Sequence, residues 1–267
     1  GISGVAFFFL QPTLPLTMPV QQVLSQTQNF LLLAIPLFVL AGNLLNETGL
    51  TERVMKLASI LTGHMRGGTA QSNMVIAASL GGITSSAIGD ATMLSRVLGP
   101  GMTRQGYSGG FSAAVIGSSS LITTMIPPGI GLVLYGSIAE VSIGRLFAAG
   151  MIPGLLMTVF LMAAVGVRAR QKGYPPERET RASLGEIAKT FVDCIWAFLF
   201  PVILIAGLRF GMFTPSEAGA FACVYAIVVG AIAYRQFSWK KMVQTLENTV
   251  VDMGMIMLLI ALSATFS

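Results

Sequence analysis

Hydroxyl residues and glycines interrupt one of the long apolar regions of this sequence. The stretch "SLGGITSSAIGD", from Ser79 to Asp90, holds three glycines and four Ser or Thr residues directly before an acid. Hydroxyl and main-chain carbonyl oxygens are the ligands that a small, hard cation prefers. Irregular backbone is tolerated at membrane depth only against protein or a cavity, because unpaired polar groups in hydrocarbon are costly. The stretch therefore predicts a break whose polar atoms face something other than lipid.

A second apolar segment carries a similar interruption, "SSSLITTMIPPGIGLVLYG" from Ser118 to Gly136. Pro127 and Pro128 remove two backbone donors and their rings clash with the preceding turn, so we predict a helix that is broken near its middle. Each stretch alone is also compatible with ordinary helix packing through small residues and a proline kink. The two together favour a secondary transporter with discontinuous helices.

Composition places both stretches in an integral membrane protein. Hydrophobic residues make up 54% of the 267 residues and charged residues only 10%, whereas about 25% of a soluble domain is charged. The basic residues occur in short clusters between apolar runs. This pattern is typical of residues that orient a protein in the membrane, and it argues against nucleic-acid binding. No phosphate-binding loop, nucleophile elbow or metalloprotease motif occurs, and the two cysteines have no metal-ligand spacing. We expect neither an enzyme nor a bound cofactor.

The apolar segments define the expected spans. Crossing a bilayer as a helix takes about 20 apolar residues. The segments that meet this criterion lie at about 29–46, 110–137, 146–167, 190–210, 216–234 and 249–266, with a partial span at 1–10. The segment at about 70–98 is apolar but is split into two short halves, and basic residues on both of its flanks favour the cytoplasm. We therefore predict a re-entrant hairpin at about 70–98 and a broken helix at about 110–137.

Basic residues also set the expected orientation. The loop at 168–189 is placed in the cytoplasm because it carries Arg168, Arg170, Lys172, Arg178 and Arg181. Alternating spans then put Arg145 and the turn before residue 217 outside. In that turn "TPSE" predicts a capping box, with Thr214 at the N-cap, Pro215 at the first helical position and Glu217 reaching back.

At these residues the sequence resembles the large membrane subunit of the tripartite ATP-independent periplasmic (TRAP) transporters. The resemblance runs in order through most of the chain. It is carried by "IPLFVLAGNLL" at 35–45, "LGGITSSAIGDATML" at 80–94, "GYSGGFSAAVIGSSS" with "MIPPGIGLVLYG" at 106–136, "SIGRLFAAGMIPGLL" at 142–156 and "FTPSEAGAFACVYA" at 213–226. Five blocks in the family's order are specific, although each block alone is weak.

The resemblance implies an all-α, elevator-type importer built from two inverted repeats, with sodium as the coupling ion and without ATP hydrolysis. Its expected partners are a small four-helix membrane subunit and a periplasmic binding protein that delivers an organic acid, such as a C4-dicarboxylate, a sialic acid or a keto acid. The expected location is the inner (cytoplasmic) membrane of a bacterium or archaeon, which the chain crosses several times.

Carried over by position, the resemblance also implies a sodium site between the hairpin tip and the broken helix. Its expected ligands are Thr84, Ser85, Ser86, Thr123, Ile126 and Pro128. The supporting positions are Gly82, Asp90, Pro127 and Gly129. Three positions depart from the family pattern, since Ser85 and Thr123 replace usual glycines and Gly129 replaces a frequent serine. For Asp90 we favour a role as the cap of the returning half-helix.

The same resemblance divides the chain into four parts. Residues 1–66 form the first scaffold helices, and residues 67–138 form half of the transport domain. Residues 139–212 connect the repeats through the cytoplasmic loop at 168–189, and residues 213–267 begin the second repeat. We expect the chain to be an internal piece of a longer protein that stops before the second hairpin.

Two other functions are compatible with the same stretches. One is a stand-alone sodium/anion symporter of the divalent-anion type, and the other is a non-transporting membrane scaffold whose small residues are packing seams. Asn43 and Asn73 are expected to form hydrogen bonds between helices in any of these proteins.

Overall fold

Helices form almost all of the chain that the structure describes. The computed structural model describes residues 30–84, 86–235 and 238–263, together with Pro15, Thr17 and Gln21. No strand occurs among these described residues. The helices are α1 (Ala34–Glu47), α2 (Leu50–Thr62), α3 (Gly68–Thr84), α4 (Ala87–Arg104), α5 (Gly109–Met125), α6 (Ile130–Ile138), α7 (Ile143–Lys172), α8 (Leu184–Asp193), α9 (Ile195–Arg209), α10 (Pro215–Val228) and α11 (Trp239–Ser263). This confirms the prediction of an all-α protein.

Three helices are long and apolar enough to cross a membrane by themselves. They are α7, α11 over Trp239–Ile260, and α10 together with the π-helical turn Val229–Ala233. Two bent pairs pass the same test, α5 with α6 and α8 with α9. The described chain is therefore a multi-pass membrane protein by the length and composition of its helices.

The helices α3 and α4 form a hairpin. They are joined at residues 85–86 and both pack against α5. At the open end, the Thr69 hydroxyl donates a hydrogen bond of 2.9 Å to Oε1 of Gln105, so the start of α3 lies beside the end of α4. The base also contacts the end of α7, where a Cβ on Gly67 would meet Ala169 at 2.6 Å. The start of α3 and the end of α4 thus lie close to the end of α7, and the hairpin extends over 68–104, where the sequence predicts about 70–98.

The predicted helix break is present after α5. The α5 helix ends at Met125, α6 begins at Ile130, and the two are bent by 47°. Ile126 has extended backbone, and the Pro127–Pro128 peptide bond is cis. Two consecutive residues without an N–H group cannot continue the hydrogen-bond ladder, which explains the position of the break.

Two predicted span boundaries are wrong. α11 begins at Trp239, ten residues before the predicted start at 249, because its first turns are helical although most of their residues are polar. The segment at 190–210 is not one helix, since Cys194 separates α8 from α9 at an angle of 57°. The predicted partial span at 1–10 lies outside the described residues.

The capping box at the start of α10 is confirmed. The Thr214 hydroxyl accepts a hydrogen bond from the Glu217 N–H, and the Glu217 carboxylate accepts one from the Thr214 N–H at 2.8 Å. Pro215 occupies the first helical position. From this start, α10 packs along α1 so closely that a Cβ on Gly219 would lie 2.7 Å from Cβ of Leu37. Small residues that allow close backbone approach are the usual basis of helix packing in membranes.

The loop between α7 and α8 is docked on the base of the hairpin. The N–H groups of Glu177 and Arg178 both donate to the carbonyl of Gly63, at 2.8 and 2.9 Å. The Glu177 carboxylate accepts hydrogen bonds from the hydroxyls of Ser59 (2.9 Å) and Ser72 (3.4 Å). Helices occupy both ends of the predicted loop at 168–189, so the loop is shorter than expected. The hydrogen bonds to Gly63, Ser59 and Ser72 hold its remaining residues in place.

An aromatic cluster holds the same loop from its other side. Tyr174 lies 4.3 Å from Tyr107 and 5.2 Å from Phe111, measured between ring centroids. The Tyr174 hydroxyl also accepts a hydrogen bond of 3.2 Å from the Ser108 N–H, just before α5. Burial raises the pKa of Tyr107 to about 12, because desolvation disfavours the phenolate. Tyr107 is therefore neutral at physiological pH.

Candidate functional site

The end of α3 lies directly on the broken helix. A Cβ placed on Gly81 would be 2.9 Å from Cα of Thr123 and 3.0 Å from Cβ of Ile126. A Cβ on Gly82 would be 3.3 Å from the carbonyl oxygen of Pro127. These two glycines leave no side chain between the hairpin and the unwound segment. The structure thus brings the backbone of the hairpin next to the backbone of the break.

Two glycines of α7 approach the break from another side. A Cβ on Gly150 would lie 2.6 Å from the carbonyl oxygen of Met125, and a Cβ on Gly154 would lie 2.6 Å from Cγ1 of Ile126. The spacing of four residues places both glycines on one face of α7. The break is therefore enclosed by glycine faces of two different helices, which fixes its backbone without bulky side chains.

The two prolines change the hydrogen bonding of the last carbonyls of α5. In a regular helix the carbonyl groups of Thr123 and Thr124 would accept from residues 127 and 128, which are prolines and have no N–H group. The Ile122 carbonyl keeps its partner, since it accepts from the Ile126 N–H at 3.1 Å. The Thr123 hydroxyl is fully buried and donates to the Ser120 carbonyl at 2.8 Å, which leaves its oxygen able to accept or coordinate.

The structure shows part of the predicted hairpin tip. Thr84 is the last residue of α3, and its side chain lies outside the described part of the chain, as does the whole of Ser85. Ser86 has extended backbone, and its hydroxyl oxygen accepts a hydrogen bond of 3.2 Å from the Gly89 N–H. Ser86 is thus the N-cap of α4, and its side chain is exposed.

The favoured interpretation of Asp90 as the cap is therefore wrong. Asp90 is the fourth residue of α4, and its own N–H donates to the Ser86 carbonyl. A cap must precede the first helical turn, because only there do N–H groups lack partners within the helix. Asp90 is instead 2% exposed and lines a cavity beside the tip.

This cavity has a volume of about 470 Å³ and lies between the hairpin tip, α1, the start of α6 and α11. Its polar lining consists of Asn43, Asn46, Ser86, Asp90 and Asp252. Val39, Met93 and Ile130 contribute apolar walls. A concave, largely apolar space with a few convergent polar groups is the usual form of a small-molecule site.

Both asparagines named from the sequence form hydrogen bonds between helices, as expected. The Asn43 amide donates to the Thr249 hydroxyl at 3.0 Å and approaches Oδ2 of Asp252 at 3.5 Å, which links α1 to α11. The Asn73 amide donates to the Ser119 hydroxyl at 2.9 Å, which links α3 to α5. The second bond attaches the hairpin to the helix that contains the break.

Sequence reasoning missed Asp252. An acid near the middle of a long apolar helix is a functional candidate by default, and this signal was available. Its place in the cavity beside the hairpin tip could not be predicted, because that place depends on contacts between distant residues, such as Asn43 and Asp252, which are 209 residues apart in sequence.

The sequence model of the tripartite ATP-independent periplasmic transporter, DctM component, matches residues 1–267. This chain belongs to the DctM family. It is 34% identical to the 2,3-diketo-L-gulonate TRAP transporter large permease protein YiaN of Escherichia coli over 97% of its length. It is 34% identical to the sialic acid TRAP transporter large permease protein SiaM of Vibrio cholerae over 96% of its length.

A third relative is the ectoine/5-hydroxyectoine TRAP transporter large permease protein UehC of Ruegeria pomeroyi, which is 33% identical over 93% of this chain. The DctM-family chain spans 61%, 60% and 58% of the length of YiaN, SiaM and UehC. These relatives are named for chemically different substrates, so family membership leaves the substrate open.

Proposed function

We propose that this DctM-family chain is part of the large permease subunit of a sodium-coupled secondary transporter that imports a small organic acid. The observation that carries the proposal is the direct contact between the hairpin and the broken helix at Gly81, Gly82 and the Thr123–Pro127 segment. Backbone carbonyls that have lost their helical donors are oxygen ligands suited to a hard cation. The family match supports the transporter over the packing scaffold and over the divalent-anion symporter.

The proposed sodium site uses the oxygens implied by the family resemblance. Thr84, Ser85 and Ser86 come from the hairpin tip, whereas Thr123, Ile126 and Pro128 come from the break. The buried Thr123 hydroxyl fits this role, because its oxygen keeps lone pairs while it donates to the Ser120 carbonyl. The Thr123 carbonyl fits it as well, because residue 127 is a proline and offers no helical N–H group. Sodium would hold the tip against the break, and so link ion binding to the position of the tip.

The proposed working unit is larger than the described chain. A small four-helix membrane subunit would brace the scaffold helices, and a periplasmic binding protein would deliver the substrate to the outer face. The assembly would lie in the inner membrane of a bacterium or archaeon and would move the hairpin and the broken helix together as one elevator. The hairpin would enter from the cytoplasmic side, where its base contacts the basic loop, and turn inside the membrane.

Uptake into proteoliposomes tests this proposal. The full-length permease and its small subunit are reconstituted with the binding protein outside, and accumulation of an organic acid is measured under an inward sodium gradient. We expect accumulation to require both the gradient and the binding protein. Accumulation without the binding protein would favour a stand-alone symporter, and no accumulation with any organic acid would favour the scaffold.

A matched pair of variants tests the ion site. Thr123→Val removes a fully buried hydroxyl at the break, and Thr124→Val removes the exposed hydroxyl of the next residue, which makes the same kind of bond to a carbonyl one turn earlier. We expect Thr123→Val to raise the sodium concentration for half-maximal uptake and Thr124→Val to leave it unchanged. Equal midpoints in both variants would exclude the Thr123 hydroxyl as a ligand.

A further inference from the structure

Asp252 is an ionisable residue in the membrane-spanning part of α11. It lies well inside the candidate span Trp239–Ile260. Charged side chains at such depth are costly and are retained where they face a cavity, a partner or a transported species. Asp252 lines the cavity of about 470 Å³ beside the hairpin tip, so it has access to whatever enters that space.

The hydrogen bonding of this carboxylate is weak. In the part of the chain that the structure describes, its hydrogen-bond partner is Nδ2 of Asn43, at a distance of 3.5 Å. The Asn43 amide makes its shorter bond, 3.0 Å, to Thr249. A carboxylate has about four acceptor positions. Asp252 therefore keeps acceptor capacity for a donor that comes from outside the described residues.

The cavity wall holds a second acid. Asp90 lines the cavity at the hairpin tip, and no Lys or Arg occurs among the described residues that line this cavity. A carboxylate of a substrate would meet two acidic side chains here and no basic one among the described lining residues, which is unfavourable at low dielectric. A hydroxyl or ammonium group would instead donate to a charged acceptor, which gives the stronger kind of hydrogen bond.

From this wall we infer that Asp252 is a specificity-determining residue that binds a donor group of the substrate, either a hydroxyl or an ammonium. The inference rests on the proposed function and refines its substrate class. The transporter prefers a polyhydroxylated or zwitterionic organic acid to a simple dicarboxylate. The carboxylate of such a substrate binds outside this wall, and its donor end faces Asp252.

The test measures ligand binding to the purified full-length permease with its small subunit. The probes are N-acetylneuraminate, which is rich in hydroxyls, ectoine, which is a zwitterion, and succinate, which is a dianion. Apparent affinities come from thermal stabilisation at saturating sodium. The variants are Asp252→Asn, which keeps the shape, Asp252→Glu, which keeps the charge, and Glu247→Gln, which removes an exposed carboxylate of the same helix outside the cavity.

We expect the wild type to bind at least one donor-bearing probe more tightly than succinate. Asp252→Asn is expected to weaken that probe about tenfold, the effect of losing one hydrogen bond to a charged acceptor, and to leave succinate unchanged. Asp252→Glu should retain part of the preference, and Glu247→Gln should retain all of it. The melting temperature of each variant without ligand controls for loss of folding.

Three results would overturn the inference. The first is a wild type that binds succinate as well as either other probe, or that binds none of them. The second is an unchanged ratio of affinities in Asp252→Asn. The third is a shift of the sodium midpoint in Asp252→Asn with the ratio intact, which would make Asp252 a cation ligand. Sodium-driven uptake by Asp252→Asn with an unchanged ratio would refute only this inference, whereas absence of such uptake in the wild type would refute the proposed function.

Discussion

The contact between Gly81 and the helix break yields the sharpest prediction, because the space for one methyl group is missing there. In Gly81→Ala the new Cβ would lie 2.9 Å from Cα of Thr123 and 3.0 Å from Cβ of Ile126. Carbon atoms pack at about 3.5–4.0 Å, so the hairpin leg and the break must separate by at least about 0.5 Å. Neither neighbour is the end of a flexible side chain, so backbone must move.

The expected cost follows from this displacement. Overpacking of a tight contact typically costs about 1–3 kcal/mol, and the better helix propensity of alanine returns about 0.5–1 kcal/mol. A net loss of about 1–2 kcal/mol is expected in the state that holds the tip on the break. If sodium binds that state, the sodium midpoint for uptake should rise about five- to thirtyfold.

The assay is sodium-dependent uptake by the full-length transporter in proteoliposomes, together with its thermal unfolding. Gly117→Ala is the matched control, because Gly117 lies in α5 and a Cβ there would meet nothing within 4 Å. The control should keep the wild-type sodium midpoint and gain slightly in stability. If Gly81→Ala also kept the wild-type midpoint and stability, the contact would have no part in ion binding.

Three further changes have expected outcomes. Gly154→Ala should lower the melting temperature and the rate of uptake, because its Cβ would lie 2.6 Å from Cγ1 of Ile126 on the other side of the break; an unchanged rate would show that the break adapts freely. Glu177→Ala should speed trypsin cleavage in the loop after α7 a few-fold, since it removes the 2.9 Å bond from Ser59; equal digestion would mean that the backbone bonds to Gly63 and the aromatic cluster hold the loop without this carboxylate. Thr214→Ala should lower the free energy of unfolding by about 0.5–2 kcal/mol through loss of the N-cap, without changing the sodium midpoint.

The sequence predicted the hairpin and the break because both are encoded in the backbone properties of single residues. Glycines such as Gly81 permit close approach and Pro127 with Pro128 remove donors wherever they occur, so their effect needs no knowledge of tertiary contacts. The capping box at Thr214 is local in the same way, since its two bonds join residues three positions apart.

The errors have different causes. Ser86, and not Asp90, caps α4, because the helix begins at Ala87, three residues before the position of the acid. The start of α11 was predicted too late because the length of an apolar segment indicates how much of a helix can lie in lipid, and polar turns can extend the helix beyond it. Asp252 gains its meaning from α1 and the hairpin tip, which lie far away in sequence.

The docking of the loop between α7 and α8 has a practical consequence for following the transport cycle. Because this loop is held between Gly63, at the end of α2, and the aromatic ring of Tyr107, beside the base of the hairpin, a spectroscopic label on its exposed residue Glu179 would lie where the proposed scaffold and transport parts meet. If the hairpin moves as the proposed elevator requires, distances from that label to a second label on the hairpin would change during transport, and constant distances would argue against such a movement. Such a reporter leaves the ion site and the cavity chemically untouched.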